Sequence, residues 1–269
     1  MPVTVANGIN LAYDEFGEGD PVLLIAGTGQ PANTFHIFQV PALVDAGFKV
    51  VTFDNRGVHP SECPPAPYTV SEMAEDAAAL IQALDLAPCR VAGMSLGAII
   101  TQELALAHPE LVRSAVMMGT VGRLGPSGQL LTRAWVEFDK SGVELPPLYD
   151  AMNQLAWLFA PATLANEEFV ATFVDLIMSG PAWNGDGRLG QHQAELAYGD
   201  RLQALSGITV PSMVMAFEHD AITLAPMGRE VAAVIPRCEL VEIAGAGHGG
   251  MVEKPDEVNA ALIEFFKNH

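Results

Sequence analysis

Ser95 stands in the stretch "VAGMSLGAII" (residues 91–100), flanked by Gly93 and Gly97 in the pattern G-x-S-x-G. A serine hydroxyl is a weak nucleophile near neutral pH, and it needs a base that an acid orients. If the chain turns sharply from strand to helix at this point, Ser95 is thrust out at the apex, and the two glycines keep strand and helix from colliding. The plain alternative is a glycine-rich turn carrying an ordinary hydroxyl, so the choice rests on whether a base and an acid are in place. Seven histidines compete for the role of base. His108 closes a surface helix, His269 is the last residue, and His36, His59 and His192 lie where no acid is evidently paired with them. His248 differs: "AGAGHGGM" puts it in a glycine-rich loop after an apolar run, with small neighbours that leave its imidazole room to swing.

The acid is sought after a strand as well. "VMAFEHDAITLAP" offers Glu218 and Asp220, and Asp220 suits an inward-facing carboxylate because Ala221 and Ile222 return the chain to the core. Glu218 is the second choice. The order Ser95, Asp220, His248 is one of the known orders of a serine triad. Two backbone N–H groups should face the oxygen that becomes negative. Leu96, at the start of the following helix, supplies one with help from the helix dipole. Thr28, in the loop "GTGQP" after the run "PVLLIAG", supplies the other.

These residues need strands and helices in a particular order. "VTVANGINLAY" alternates apolar and polar residues around Asn7-Gly8, the mark of a β-hairpin. "PVLLIAG", "FKVVTFD", "CRVAGM" and "RSAVMMG" are short apolar runs, as expected of strands buried on both faces. Between them lie helical patterns: residues 34–46, split or kinked at Pro41; "VSEMAEDAAALIQALDL", with Ser71 as N-cap; and "LGAIITQELALAHPE", helical up to Pro109. Such alternation predicts an α/β fold, a mostly parallel central sheet with helices on both faces. Ser95 then falls at the carboxyl end of a central strand, where open α/β sheets bind ligands.

The alternation stops over residues 121–205, where prolines punctuate helical patches and all three tryptophans, Trp135, Trp157 and Trp183, are found. This segment reads as a helical lid, with the three tryptophans as candidate pocket residues, inserted into a core of residues 1–120 and 206–269. Strand and helix patterns resume in "ITVPSMVMAF", "APMGREVAAVIP" and "CELVEIAG", with a closing helix over residues 255–267.

Bulk composition narrows the function. Half of the 269 residues are apolar and 17% are charged, which fits a globular chain with a large core. A net charge of −19, with thirteen scattered basic residues, argues against nucleic acid. No apolar run reaches the roughly 18 residues needed to cross a bilayer, and the start "MPVTVANGIN" has no signal-peptide pattern. Cys63, Cys89 and Cys238 lack metal-ligand spacing and read as reduced thiols. The expectation is a cytoplasmic protein with a small-molecule substrate, no membrane partner, no metal and no cofactor; oligomeric state is left open.

With these motifs in hand, the chain resembles the α/β-hydrolase superfamily over nearly its whole length. It looks most like the esterase, lactonase and cofactor-free haloperoxidase branch with a helical lid. The resemblance rests on Gly27-Thr28, "DNRGVHPSE", "GMSLG", "EHDAITLAP" and "GAGHGGMVEKPDEV". It departs from the family where Ala26 replaces the usual histidine before Gly27, where His59 replaces a glycine, and where Phe217 replaces a glycine and is expected to shift the acid loop slightly. Ser95 also argues against the members whose nucleophile is aspartate. The resemblance implies a serine hydrolase acting on carboxylic esters or lactones of a largely apolar small molecule. Perhydrolysis, carbon–carbon bond hydrolysis and thioester hydrolysis remain open on the same residues. So do two readings of another class, a non-hydrolytic lyase or tailoring catalyst and a ligand-binding protein.

Overall fold

Asn7 and Gly8 turn the chain between β1 (Val3–Ala6) and β2 (Ile9–Phe16) with φ values of 49° and 79°. That left-handed pair is what a two-residue hairpin turn demands. The structure, a computed structural model, describes residues 1–179 and 186–269. The apolar runs form β3 (Asp20–Ile25), β4 (Phe48–Phe53), β5 (Cys89–Met94), β6 (Val112–Met118) and β7 (Ser212–Phe217), followed by β8 (Cys238–Ile243). They join in one eight-stranded sheet of order β1-β2-β4-β3-β5-β6-β7-β8. Only the β1–β2 and β2–β4 pairs are antiparallel. β5, which carries the chain to Ser95, lies in the interior of the sheet with all six of its residues buried.

Helices cover both faces. α1 (Gln39–Asp45) follows a 3₁₀ turn at Ala32–Phe35, so the break expected at Pro41 falls before it. Pro41 sits in the first turn of α1, where a missing N–H costs no helical bond. α2 (Val70–Ala83) starts two residues earlier than Ser71 would place it, because its N-cap is Thr69. The Thr69 hydroxyl accepts the Glu72 N–H at 3.1 Å and the Glu72 carboxylate accepts the Thr69 N–H at 2.9 Å. This reciprocal capping box leaves Ser71 inside the first turn. α3 (Leu96–Ala107) follows Ser95 directly.

Between β6 and β7 the chain forms α4 (Pro126–Ser141), α5 (Pro147–Leu158), α6 (Pro161–Leu164), α7 (Glu167–Ser179), α8 (Gly187–Ala197) and α9 (Leu202–Leu205). The last third adds α10 (Ala225–Val234), α11 (Gly250–Glu253) and α12 (Pro255–Asn268). Two apolar clusters sandwich the sheet. Leu23, Ile25, Val91 and Met117 face a cluster shared with α2 and α3, while Val22, Leu24, Ala92 and Met118 face one shared with α1 and α12. Among the described residues no helix is long and apolar enough to cross a membrane.

Candidate active site

The chain leaves β5 through Ser95 at φ 56° and ψ −119°, a conformation that costs a residue with a Cβ roughly 1–3 kcal/mol. Its backbone is held from both sides. The Ser95 N–H donates to the Met118 carbonyl at 2.9 Å, and the Ser95 carbonyl accepts from Ala98 at 2.9 Å and Ile99 at 3.1 Å. The flanking glycines are required by contact. A Cβ at Gly93 would overlap the Gly97 carbonyl, and one at Gly97 would overlap the carbonyl oxygen of Ile25. A strand and a helix therefore touch backbone to backbone directly under Ser95.

Asp220 and His248 reach the same end of the sheet from the loops after β7 and β8. Asp220 Oδ2 accepts from His248 Nδ1 at 2.8 Å and from the Thr223 hydroxyl at 2.6 Å. Its Oδ1 accepts the N–H groups of Ile222 and Thr223 at 2.8 and 2.7 Å. Burial alone would push the Asp220 carboxyl up, but the charge and hydrogen bond of His248 and the two bonds from Thr223 together hold it below the ordinary aspartate value. With Nδ1–H committed to Asp220, the imidazole offers Nε2 for proton transfer. Glu218 is exposed and instead accepts the Gly245 N–H at 2.7 Å.

The glycines around His248 do not give it freedom. A Cβ at Gly247 would stand 2.7 Å from the Ala160 nitrogen, and one at Gly249 would stand 2.5 Å from the Phe159 ring. The Gly249 N–H also donates to the Leu158 carbonyl at 2.6 Å, and Glu253 accepts from Gly247 at 2.5 Å and Ala160 at 2.8 Å. The loop is pinned to the end of α5. Phe217 is accommodated in the same way: its ring fills the space that a side chain at Gly250 would take.

The loop after β3 lies beside Ser95, with Gly27 so near that an added Cβ would stand 3.2 Å from the serine Cβ. Among the described residues no acceptor meets the backbone N–H of Thr28 or of Leu96. The loop is fixed by neighbours instead. Asp54 accepts the Ala32 N–H at 2.6 Å and Asn55 donates to the Ala26 carbonyl at 3.0 Å. From the inserted helices, Glu195 accepts the Thr28 hydroxyl at 2.7 Å and Gln191 accepts the Gly29 N–H at 2.6 Å.

A cavity of about 530 Å³ brings these parts together. Thr28, Ser95 and His248 line it, as do Trp135 and Trp157, whose ring centroids lie 6.5 Å apart edge to face. Asp220 sits behind His248, buried. Trp183 lies outside the described residues. The Ser95 hydroxyl makes no hydrogen bond to His248 within this cavity. A larger groove, about 1000 Å³ and lined by Arg123, Leu130 and Met227 among others, includes none of these residues. Among the described residues no three His, Cys, Asp or Glu side chains gather as a metal site.

The cavity also holds a polar cluster that the sequence does not announce. His192 on α8 does have an acid partner: its Nδ1 lies 2.7 Å from Asp139 Oδ2 on α4, and Arg188 donates to Asp139 Oδ1 at 2.7 Å. Burial pushes the Asp139 carboxyl up, yet the bonds and charges of His192 and Arg188 outweigh it and hold the group below its ordinary value. Glu195 is driven the other way, because burial raises it more than His192, Thr28 and His248 lower it. Asp139 and His192 are 53 positions apart, so no local pattern could have paired them. A spacing of i, i+4 and i, i+7 on α8 does put Arg188, His192 and Glu195 on one face, which was the available signal.

Comparison with known proteins gives the same architecture a lineage. The family model described as "alpha/beta hydrolase fold" matches residues 20–255. A Mycobacterium tuberculosis protein that carries the provisional name non-heme bromoperoxidase BpoC is 43% identical over 259 residues, covering 96% of this chain and 98% of that one. The crystal structure of BpoC superposes with a TM-score of 0.92 at 42% identity, covering 97% of this chain and 96% of that one. Rhodomycin D methylesterase DnrP of Streptomyces peucetius is 30% identical, with 97% of each chain covered. The 3-oxoadipate enol-lactonase 2 of Acinetobacter baylyi is 26% identical, covering 97% of this chain and 95% of that one. A strand-to-helix turn at Ser95, a mostly parallel eight-stranded sheet and these matches along the chain agree: the protein belongs to the α/β-hydrolase-fold family.

Proposed function

We infer that the protein hydrolyses a carboxylic ester or lactone through an acyl-enzyme, with Ser95 as nucleophile, His248 as base and Asp220 as the acid that orients it. The observation that carries this reading is the buried Asp220–His248 pair, bonded at 2.8 Å and opening on the same cavity as a serine held at φ 56°. Ser95 attacks the carbonyl carbon while His248 Nε2 takes the hydroxyl proton. Asp220 keeps Nδ1–H in place and stabilises the imidazolium. The N–H groups of Thr28 and Leu96, at a loop and at the N-terminus of α3, bind the oxygen that becomes negative. His248 then gives the proton to the leaving alcohol, and a water activated by the same imidazole releases the acid. Helices α4 to α9 act as the lid, with Trp135 and Trp157 forming an apolar wall for the substrate.

Labelling with a fluorophosphonate and locating the adduct by mass spectrometry tests this directly. The adduct should fall on Ser95, and Ser95→Ala should abolish both labelling and turnover of p-nitrophenyl esters and lactones while the fold stays intact. An adduct elsewhere, or more than a few per cent of residual turnover, would overturn the assignment.

One observation favours a second reaction on the same groups. The relative at 43% identity carries a bromoperoxidase name. An acyl-enzyme formed from a carboxylic acid, with loss of water, and attacked by hydrogen peroxide would release a peracid, which oxidises bromide. Bromination dependent on acetate, peroxide and Ser95 would establish it.

A further inference from the structure

The lid side of the cavity carries a second histidine–aspartate pair. Asp139 takes the Nδ1–H of His192 at 2.7 Å, so in the neutral ring Nε2 is the free acceptor. The ring cannot easily turn away, because the Trp135 ring stacks on it at 5.2 Å with 22° between planes. Asp139 is itself clamped by Arg188, whose guanidinium lies 5.8 Å from the centre of the Phe138 ring. Among the described residues Nε2 has no hydrogen-bond partner, although the side chain is only 11% exposed. An acceptor that lines the cavity and has no protein partner is open to a donor on a bound ligand.

His192 opens on the same cavity as Ser95. His192 lies one helical turn before Glu195, which holds the Thr28 hydroxyl, and His192, Thr28 and Ser95 line one cavity. The charge around it selects the kind of donor. Among the described lining residues the one guanidinium, Arg188, is ion-paired with Asp139, and Asp150 and Glu195 add carboxyl groups, so the lining favours a neutral ligand over an anion. The walls are flat rings, Trp135 and Trp157 set edge to face.

We propose that His192 Nε2 accepts a hydrogen bond from a hydroxyl group on a neutral, ring-bearing substrate, and so selects hydroxylated aryl or cyclic esters over unsubstituted or carboxylated ones. Asp139 is the positioning residue of this subsite, and Trp135 sets the plane of the ring. The proposal names the substrate class for the hydrolase reading and rests on it for that step, but the subsite itself can be tested without turnover.

The test is equilibrium binding to the parent protein, followed by tryptophan fluorescence, with 4-propylphenol, its methyl ether 4-propylanisole, and 4-propylbenzoate as probes. The phenol should bind about tenfold more tightly than the ether, since only the O–H donor is lost, and the benzoate should bind most weakly. In His192→Phe, which keeps a flat ring against Trp135 and removes the acceptor, the phenol and the ether should agree within about twofold. Equal binding of phenol and ether by the parent protein would overturn the proposal, as would a phenol preference that survives in folded His192→Phe. Tightest binding of the benzoate would show an anion site instead. Because the phenol–ether comparison needs neither a variant nor the Ser95 chemistry, a failure of the esterase reading leaves this outcome separately readable.

Discussion

Gly97 is the residue on which the geometry of the site most depends without touching a substrate. A Cβ added there would overlap the carbonyl oxygen of Ile25 and stand 2.7 Å from its carbonyl carbon and 2.8 Å from the Ala26 carbonyl oxygen. Ordinary contacts of carbon with carbon or oxygen are about 3.3–4 Å. Relieving all three overlaps requires α3 to retreat from the end of β3 by roughly 1 Å, an order-of-magnitude figure set by those ordinary distances. Ile25 ends β3 and Ala26 opens the loop that carries Thr28, whereas α3 carries the Leu96 N–H. The retreat therefore separates the two proposed oxyanion donors from each other. A displacement of that size costs about 10²-fold in rate, and the overpacking costs about 1–3 kcal/mol of stability or somewhat more. Gly97→Ala should thus lower kcat on p-nitrophenyl butyrate by about 100-fold and lower the Tm by roughly 3–10 °C. Gly128→Ala is the control: in α4 its Cβ would meet only Leu124 at 3.7 and 3.9 Å, and it should leave both quantities near the parent values. If Gly97→Ala melts within about 2 °C of the parent and keeps more than roughly half of kcat, close backbone approach is not what the glycine provides there.

Three further outcomes follow from the same contacts. Asp220→Asn should cost about 10⁴-fold in kcat/KM on an activated ester, as loss of the orienting aspartate does in serine proteases, while Glu218→Gln stays within about tenfold; the reverse ranking would reassign the acid. Thr28→Val, which removes the hydroxyl bonded to Glu195, should lower kcat about tenfold with little change in KM, and Thr28→Ser should restore it; an effect confined to KM would place Thr28 in binding alone. Burial raises the Asp54 carboxyl to about 6 against the pull of the Ala32 N–H, so the folded state holds an extra proton between the ordinary aspartate range and that value, and stability falls as pH rises through this window. Asp54→Asn keeps an acceptor for Ala32, and its urea stability relative to the parent should improve by about 1–3 kcal/mol from pH 4 to pH 8; a constant difference would refute the linkage.

The parts of this molecule that were legible in the sequence are those whose cause is local. Continuous apolar runs identify strands buried on both faces, and Asn7-Gly8 identifies a hairpin, because backbone dihedrals and burial act within a few residues. The strand-to-helix turn at Ser95 was legible for the same reason, since the two glycines that permit it are its near neighbours. The N-cap of α2 was misplaced by two residues because Thr69 and Ser71 are both good caps, and only the position of Glu72, three residues after Thr69, separates them. The glycines around His248 were legible as glycines but not in purpose. Mobility and close packing leave the same mark in one sequence, and the deciding contacts, with residues 158–160 and Phe217, come from distant segments.

The inserted helices mark the limit of local reading. Their amphipathic faces show that they pack, but not against what, because helix–helix contact is made by side chains whose partners lie dozens of positions away. Asp139 and His192 are each unremarkable charged or polar positions on separate helices, and they acquire a role only when α4 and α8 lie side by side. The same contact carries Glu195 and Gln191 to the Thr28–Gly29 loop, so the helices that line the cavity also brace the backbone beside Ser95. A change in the packing of α8 against α4 therefore moves both the cavity wall and the loop of the proposed oxyanion donor. Under the proposed mechanism, substitutions at Asp139 or His192, like those at Gln191 and Glu195, should therefore shift ligand preference and rate together.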